Sequence, residues 1–205
     1  MYRSEYYAQL KDLARATRAR FGLTSPRILR SDLRRIYRAE GIRIDLWPHK
    51  LRKLRGAYIN DELGPTVMLA KGLPQDPMVF TMGHELKHHL TDSGSLSYCD
   101  ACNQSDPIEI GAEIFAAELI YPDDDFRADL EKMNIAPGKC TPEVLVRLKH
   151  DTRTTLSYAG LAKRAEFMGF AVEGSLDRIG WKKIEEEIYG EPLHKWLLRR
   201  RRGCA

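Results

Sequence analysis

Residues 82–90 read "MGHELKHHL" and place three histidines and one glutamate within nine residues. On an α-helix, His84 and His88 lie one turn apart and project from the same face, within reach of a single metal ion. Glu85 is rotated by about a quarter turn from His84, so it lies beside such an ion but is poorly placed to bind it together with both histidines. This pattern predicts a hydrolytic zinc site, in which the imidazoles bind the metal and the carboxylate takes a proton from water.

Chance is the alternative explanation for this motif. In a chain with six histidines, His-Glu-x-x-His arises by coincidence in about one sequence in a hundred. The neighbouring residues favour a metal site, because apolar side chains flank the two histidines and place them in a packed layer, where an imidazole needs a partner. These side chains are Val79, Phe80, Leu86 and Leu90. His89 points in another direction, and we expect it to lie at the surface or to support a ligand.

A catalytic zinc site usually has three protein ligands, so the two histidines need a companion. The extended motif that ends in Gly-x-x-His is excluded, because those positions are Thr91 and Gly94 here. The remaining solution is a carboxylate from the next helix. The segment "PIEIGAEIFAAELIYP", residues 107–122, offers Glu109 and Glu113 one helical turn apart.

The residues alone leave these two carboxylates open as the third ligand. Ala112 and Ala116 share their stripe and would let a second helix approach, so we expect both carboxylates to face a helix rather than water. Glu109 has another explanation, because it lies three residues after the predicted N-cap Asp106 and could form a capping box. Glu113 has no such explanation. The glutamate that does not bind the metal would lie next to the metal ligands and stabilise their arrangement.

The rest of the chain predicts helices, then strands, then helices. Helical spacing of apolar residues covers residues 4–20 and continues from residue 31 to Gly41. Strands are predicted at residues 42–47, 56–60 and 66–70, and together they would make a small sheet. Asp76 and Asp106, each followed by proline, are the predicted N-caps of the two helices that carry the site. An acidic turn, "PDDDF", then precedes a short helix. This order is typical of the α+β class.

The segments around the motif resemble a known family. "HELKH" at residues 84–88, with "VFTMG" before it, the strand "TVMLA" upstream and "IEIGAEIFAAELIYP" downstream, is similar to the ImmA/IrrE zinc metallopeptidases over about residues 56–122. The resemblance implies a zincin-like fold of the gluzincin type, with a small sheet packed on the His-Glu-x-x-His helix. It aligns the metal-binding glutamate with Glu109 and an Asn/Asp position with Glu113. Two departures are Gly111 in place of a glutamate and Tyr121 in place of a methionine.

The resemblance implies that His84, His88 and Glu109 bind Zn²⁺ and that Glu85 is the catalytic general base. Glu113 would orient a histidine. The implied activity is a cytosolic endopeptidase that cleaves a transcriptional repressor, often one with a helix-turn-helix, and thereby derepresses mobile-element, prophage or stress genes. By analogy with other zinc peptidases, the strand "TVMLA" would pair with the extended backbone of the substrate.

Two other functions are compatible with the same residues. A non-catalytic regulatory protein would keep zinc for structure and bind DNA or a transcription factor. A fourth protein ligand, such as Cys99 or Asp92, would favour that alternative. A hydrolase of non-peptide amides is the second. The oxyanion of a peptide substrate would also need a donor besides zinc, and its candidates are Tyr58, Tyr98, Tyr121 and His89.

We predict a metallopeptidase domain in residues 1–122, including the N-terminal helices, and a helical C-terminal region in residues 123–205. Within the second region, residues 152–170, "TRTTLSYAGLAKRAEFMGF", have the rhythm of a short helical pair. This pair is either a degenerate helix-turn-helix or, as we favour, a helical cap over the catalytic domain.

Composition limits the remaining function classes. The chain has 205 residues, 43% of them hydrophobic, which is enough for one well-buried core. No apolar run reaches the length of a membrane-spanning helix, and we expect a soluble cytosolic protein with no membrane partner. The basic run "LLRRRR" at residues 197–202 is more typical of a solvated terminus, so DNA contact is not favoured. Cys99 and Cys102 form one Cys-x-x-Cys pair without a second, and we expect reduced thiols in a loop.

Overall fold

The computed structural model describes residues 3–48, 55–92 and 106–192, together with Lys195 and Leu197. These residues form three strands and eight helices, which confirms the α+β class. The strands are β1 (Arg43–Trp47), β2 (Gly56–Asp61) and β3 (Gly64–Ala70). The helices are α1 (Arg3–Phe21), α2 (Arg30–Ala39), α3 (Gln75–Thr91), α4 (Pro107–Ile120), α5 (Asp123–Lys132), α6 (Pro142–Thr152), α7 (Tyr158–Phe167) and α8 (Trp181–Tyr189).

The three predicted strands form one sheet in the order β1-β3-β2. β3 pairs in parallel with β1 and antiparallel with β2. A tight turn that ends at Gly64 connects β2 to β3. Gly64 has a φ of +91°, a conformation that favours glycine. Because β3 has a partner on each side, the expectation that it pairs with a substrate is wrong. Within the described chain, β1 and β2 are the edges of the sheet.

The helix that carries the histidine motif, α3, packs on the sheet through β2 and β3. Val79, Met82 and Leu86 of α3 are fully buried, as are Val67 and Leu69 of β3. Since side chains at alternate positions of a strand share one face, Val67 and Leu69 present a common apolar surface. This packing confirms that the motif lies in a buried layer.

The predicted N-cap residue is confirmed for α4 but not for α3. Asp106 caps α4, and its carboxylate accepts a hydrogen bond from the backbone N–H of Ile108 at 2.9 Å. The prediction that Asp76 caps α3 is wrong, because α3 begins earlier and its N-cap is Pro74. Asp76 lies instead in the first helical turn, where its negative charge favours the helix N-terminus.

Two further expectations were wrong in the C-terminal half. The acidic segment "PDDDF" is not a separate turn, since Asp123, Asp124 and Asp125 form the first turn of α5. There the three carboxylates oppose the positive end of the helix dipole. Residues 152–170 contain the last residue of α6 and one complete helix, α7, rather than a helical pair. Residues 153–157 separate it from α6 and are not helical.

The chain divides into two compact units. The first comprises Met1–Phe126 with Arg153–Ser157 and contains the sheet and α1 to α4. In it α1 packs along α4, and a Cβ on Gly111 would lie only 2.7 Å from Leu10 Cδ1 and 3.0 Å from Tyr6 Cε1. Glycine at position 111, where the similar family has glutamate, therefore leaves room for α1.

The second unit comprises Arg127–Thr152 and Tyr158–Ala205 and includes α6, α7 and α8. Aromatic stacking joins these helices, because the rings of Tyr158 and Trp181 stack at 5.1 Å and those of His150 and Tyr189 at 4.0 Å. Among the described residues, no helix is both long and apolar enough to cross a lipid bilayer.

Candidate metal centre

Three side chains of the first unit bring their ligand atoms together between α3 and α4. Nε2 of His84 lies 3.1 Å from Oε2 of Glu109 and 3.3 Å from Nε2 of His88. Nε2 of His88 lies 3.5 Å from Oε1 of Glu109. In the described part of the chain, these are the residues whose grouped ligand atoms, all within 4.8 Å of one another, could hold a metal ion.

A close approach of the two helices makes this meeting possible. A Cβ on Gly83 would lie 3.3 Å from Cβ of Ala116, so the backbones of α3 and α4 nearly touch one residue before His84. Ala116 is fully buried, as the alanine stripe led us to expect. Glu109 lies two turns before Ala116 on α4 and points in nearly the same direction, toward α3.

Burial differs among the three candidate ligands. The side chain of His88 is fully buried, whereas those of His84 and Glu109 are 13% and 16% exposed. Solvent therefore reaches the cluster from the side of His84 and Glu109. A hydrolytic site needs such an opening, because water and substrate must enter it.

Glu113 lies outside the cluster, and its side chain is exposed. The expectation that both glutamates face a neighbouring helix is therefore wrong for Glu113. At about 100° of rotation per residue, position 113 is turned by about 60° from Ala116, the residue that contacts α3. That rotation carries Glu113 to the solvent side of α4, while Glu109 stays in line with Ala116.

A further carboxylate, that of Asp92, contacts one of the candidate histidine ligands. Nδ1 of His88 lies 2.8 Å from Oδ2 of Asp92. Burial would raise the pKa of the Asp92 carboxyl, but hydrogen bonds from His88 and Lys87 and the charge of Lys87 lower it. An ionised carboxylate only accepts hydrogen bonds, so Nδ1 of His88 carries the hydrogen and Nε2 keeps its lone pair for a metal.

The position of Asp92 does not support a role for this residue as a fourth metal ligand. The carboxylate contacts Nδ1 of His88, whereas Nε2 faces His84 and Glu109. Asp92 therefore lies behind the imidazole and not beside the other ligand atoms. The sequence carried a signal for this contact, since Asp92 follows His88 by one helical turn.

Glu85, the candidate general base, is 1% exposed and faces the edge strand β2. A Cβ on Gly56 would lie 2.9 Å from Oε1 of Glu85. Behind it, the hydroxyl of Tyr37 donates to the backbone oxygen of Met82 at 2.7 Å. Burial, reinforced by the negative charge of Glu85, raises the pKa of Tyr37 well above its usual value, so Tyr37 remains a neutral donor.

A second contact joins the same face of α3 to β2. Oη of Tyr58 lies 3.1 Å from Nδ1 of His89. Burial lowers the pKa of His89, although the charge of Glu40 opposes this, and burial raises the pKa of Tyr58. Both groups are therefore neutral near pH 7, and the half-buried His89 supports the contact between α3 and the sheet.

The structure also tests the candidate oxyanion donors. Tyr58 is buried and bonded to His89. Tyr121 is buried at the far end of α4 against Phe126, twelve residues or about 18 Å along the helix from Glu109. Neither is therefore free to contact a substrate at the cluster. Tyr98, Cys99 and Cys102 lie outside the described residues.

Comparison with known proteins gives one family. Residues 38–139 match the sequence model of the Peptidase M78 family, described as an IrrE N-terminal-like domain. The matched segment contains His84, Glu85, His88 and Glu109, and it ends before α6 begins. No curated protein matches the chain.

Proposed function

This chain belongs to the ImmA/IrrE family, which has a peptidase domain. We therefore propose that it is a zinc-dependent endopeptidase of the zincin-like, gluzincin type. The observation that carries the proposal is that two imidazole nitrogens and one carboxylate oxygen lie within 4.8 Å of one another between α3 and α4. Glu85 lies on the same helix, next to the first of those imidazoles.

The spacing of the three donors fits zinc. With ligand bonds of about 2.0–2.1 Å, the ligand atoms of a tetrahedral zinc site lie about 3.3–3.4 Å apart. The two imidazole nitrogens are 3.3 Å apart, and they lie 3.1 Å and 3.5 Å from the Oε2 and Oε1 atoms of Glu109, respectively. Two imidazoles with one carboxylate are also a donor set that catalytic zinc takes, whereas calcium and magnesium prefer oxygen ligands.

In the proposed reaction His84, His88 and Glu109 hold the metal. A zinc ion held there would supply Lewis acidity and would lower the pKa of a water molecule to about 7. The carboxylate of Glu85 accepts a proton from the attacking water and then passes it to the nitrogen of the leaving amine. Asp92 keeps the hydrogen of His88 on Nδ1, so that the imidazole stays correctly oriented.

We propose that the substrate backbone pairs with β2. β2 is an edge strand in the described chain, and its first residue, Gly56, lies against Glu85. An extended peptide added to that edge would run past the candidate base, and its main-chain hydrogen bonds would hold it. β2 thus takes the substrate-pairing role first expected of β3, because both sides of β3 are already paired within the sheet.

The proposed substrate is a transcriptional repressor with a helix-turn-helix, cut in the cytosol to derepress mobile-element, prophage or stress genes. The resemblance of the sequence to the family supports this choice. Direct DNA binding by the second unit would depend on the arginines at residues 199–202, because acidic and basic side chains are balanced in residues 127–152 and 158–198.

The test is co-expression with candidate repressors, followed by mass spectrometry of the products. We expect the wild-type protein to cut one internal peptide bond of a repressor, and Glu85→Gln to bind zinc equally well without cutting. Equal cleavage by Glu85→Gln would refute the assigned mechanism. Wild-type protein that cuts no repressor, with a steeply salt-dependent DNA affinity that survives Glu85→Gln, would refute the peptidase and support the regulatory alternative.

A further inference from the structure

Lys87 lies between the general base and the second histidine of α3, and its side chain is fully buried. A buried ammonium is costly unless it is paired and hydrogen-bonded. Nζ of Lys87 donates to Oδ2 of Asp92 at 2.7 Å and to the backbone oxygen of Ile108 at 3.2 Å. It also lies 5.9 Å from the centre of the Tyr6 ring, within the range of a cation–π contact.

Each of the two hydrogen bonds leads to a candidate metal ligand. Oδ2 of Asp92 is the same oxygen that accepts from Nδ1 of His88. Ile108 immediately precedes Glu109 in the first turn of α4. One ammonium therefore contacts the group behind His88 and the backbone next to Glu109, and it joins the end of α3 to the start of α4.

We propose that Lys87 is a positioning residue of the metal site, which holds the Asp92 carboxylate on His88 and the first turn of α4 beside α3. The inference rests on the proposed metal site. Without the ammonium, the Asp92 carboxylate would lose a cationic partner and could turn away from His88, and the start of α4 would lose one of its contacts with α3. Lys87 touches neither metal nor substrate, and its effect passes through Asp92 and Ile108.

The test measures zinc affinity by competition with a chromophoric chelator, and separately the thermal unfolding of the metal-free protein. Lys87→Met keeps the volume of the side chain but removes its charge and donors. We expect its Kd for Zn²⁺ to rise about 10–100-fold, the range typical of residues that orient metal ligands. Lys87→Gln, whose amide keeps two donors, should recover part of that loss.

Arg18→Met is the matched control. Arg18 is also a buried cation of the first unit, and its guanidinium donates to the backbone oxygens of Leu119 and Ile120 at 2.8 and 3.2 Å, at the opposite end of α4. Its loss should lower the unfolding temperature of the metal-free protein and leave the zinc Kd within about twofold of the wild type, because it is distant from the site.

A double-mutant cycle separates positioning from general stability. Because Lys87 and His88 share one oxygen of Asp92, the losses of zinc affinity in Lys87→Met and Asp92→Ala should not multiply in the double variant. An unchanged zinc Kd in Lys87→Met, with a lowered unfolding temperature, would overturn the inference and leave the peptidase proposal intact. Should Lys87→Met not fold, Lys87→Gln with a wild-type Kd would overturn it equally. Wild-type protein that binds no Zn²⁺ would overturn both.

Discussion

Gly56, the first residue of β2, lies directly against Glu85 of α3. A Cβ at position 56 would come within 2.9 Å of Oε1 of Glu85 and within 2.5 Å of Cγ2 of Thr81. The buried carboxylate and the edge strand can approach this closely only because residue 56 has no side chain. The strand beside the candidate base is thus part of the site.

Gly56→Ala should therefore separate metal binding from catalysis. The added methyl group would force Glu85 or β2 to move, and misplacing a catalytic group by about 1 Å can cost about 100-fold in rate. Zinc content should stay unchanged, because Gly56 does not contact the ligand atoms. The measurements are the initial rate on the repressor that the wild type cuts and the zinc content of the purified protein.

Gly180→Ala is the control for this substitution, since the nearest atom to a Cβ there is 3.9 Å away and the φ of Gly180 is negative. It should retain the wild-type rate. A wild-type rate in Gly56→Ala would show that the contact with Glu85 has no part in catalysis.

Glu109→Ala should lose far more zinc than Glu113→Ala. Glu109 places its carboxylate within 3.5 Å of both imidazole nitrogens, whereas Glu113 is exposed and outside the cluster. Removing one of three ligands leaves too few for a stable zinc site. Metal analysis after dialysis measures the difference, and the reverse order would assign the ligand to Glu113.

Tyr58→Phe should destabilise the protein by about 1 kcal/mol, the typical net contribution of one hydrogen bond. The variant keeps the ring packed against His89 but loses the hydroxyl that lies 3.1 Å from Nδ1. Urea unfolding of the metal-free protein measures the loss. Tyr7→Phe, at a half-buried position on α1, should change the free energy of unfolding by less than about 0.5 kcal/mol. Equal effects of the two substitutions would contradict the role of the Tyr58–His89 bond.

Cys140 should resist alkylation in the native protein. Burial raises the pKa of its thiol to about 11, so about one thiol in a thousand is ionised at pH 8, and only the thiolate reacts readily. Raising the pH should increase the thiolate fraction and the reaction rate. Mass spectrometry after iodoacetamide treatment, with and without urea, locates the label. Native-state labelling of Cys140 as fast as in urea would contradict its burial.

The sequence by itself determined the local parts of this protein. The helical period puts His84 and His88 on one face of α3, and the period of two predicts β1, β2 and β3 nearly to the residue. Asp106 and Pro107 mark the start of α4 because their effect is on the adjacent backbone. Each of these features depends on residues only a few positions apart in the chain. A sequence pattern therefore contains enough information to predict it.

Only the tertiary structure decided which distant residues meet. The rotation of α4 against α3 brings Glu109 rather than Glu113 to the two imidazoles, and the strand order puts β2 rather than β3 at the edge beside Glu85. The burial of Lys87 follows from the convergence of α1, α3 and α4 around its ammonium. Periodicity gives the direction of a side chain relative to its own helix or strand, but the angle and order in which elements pack depend on the whole core.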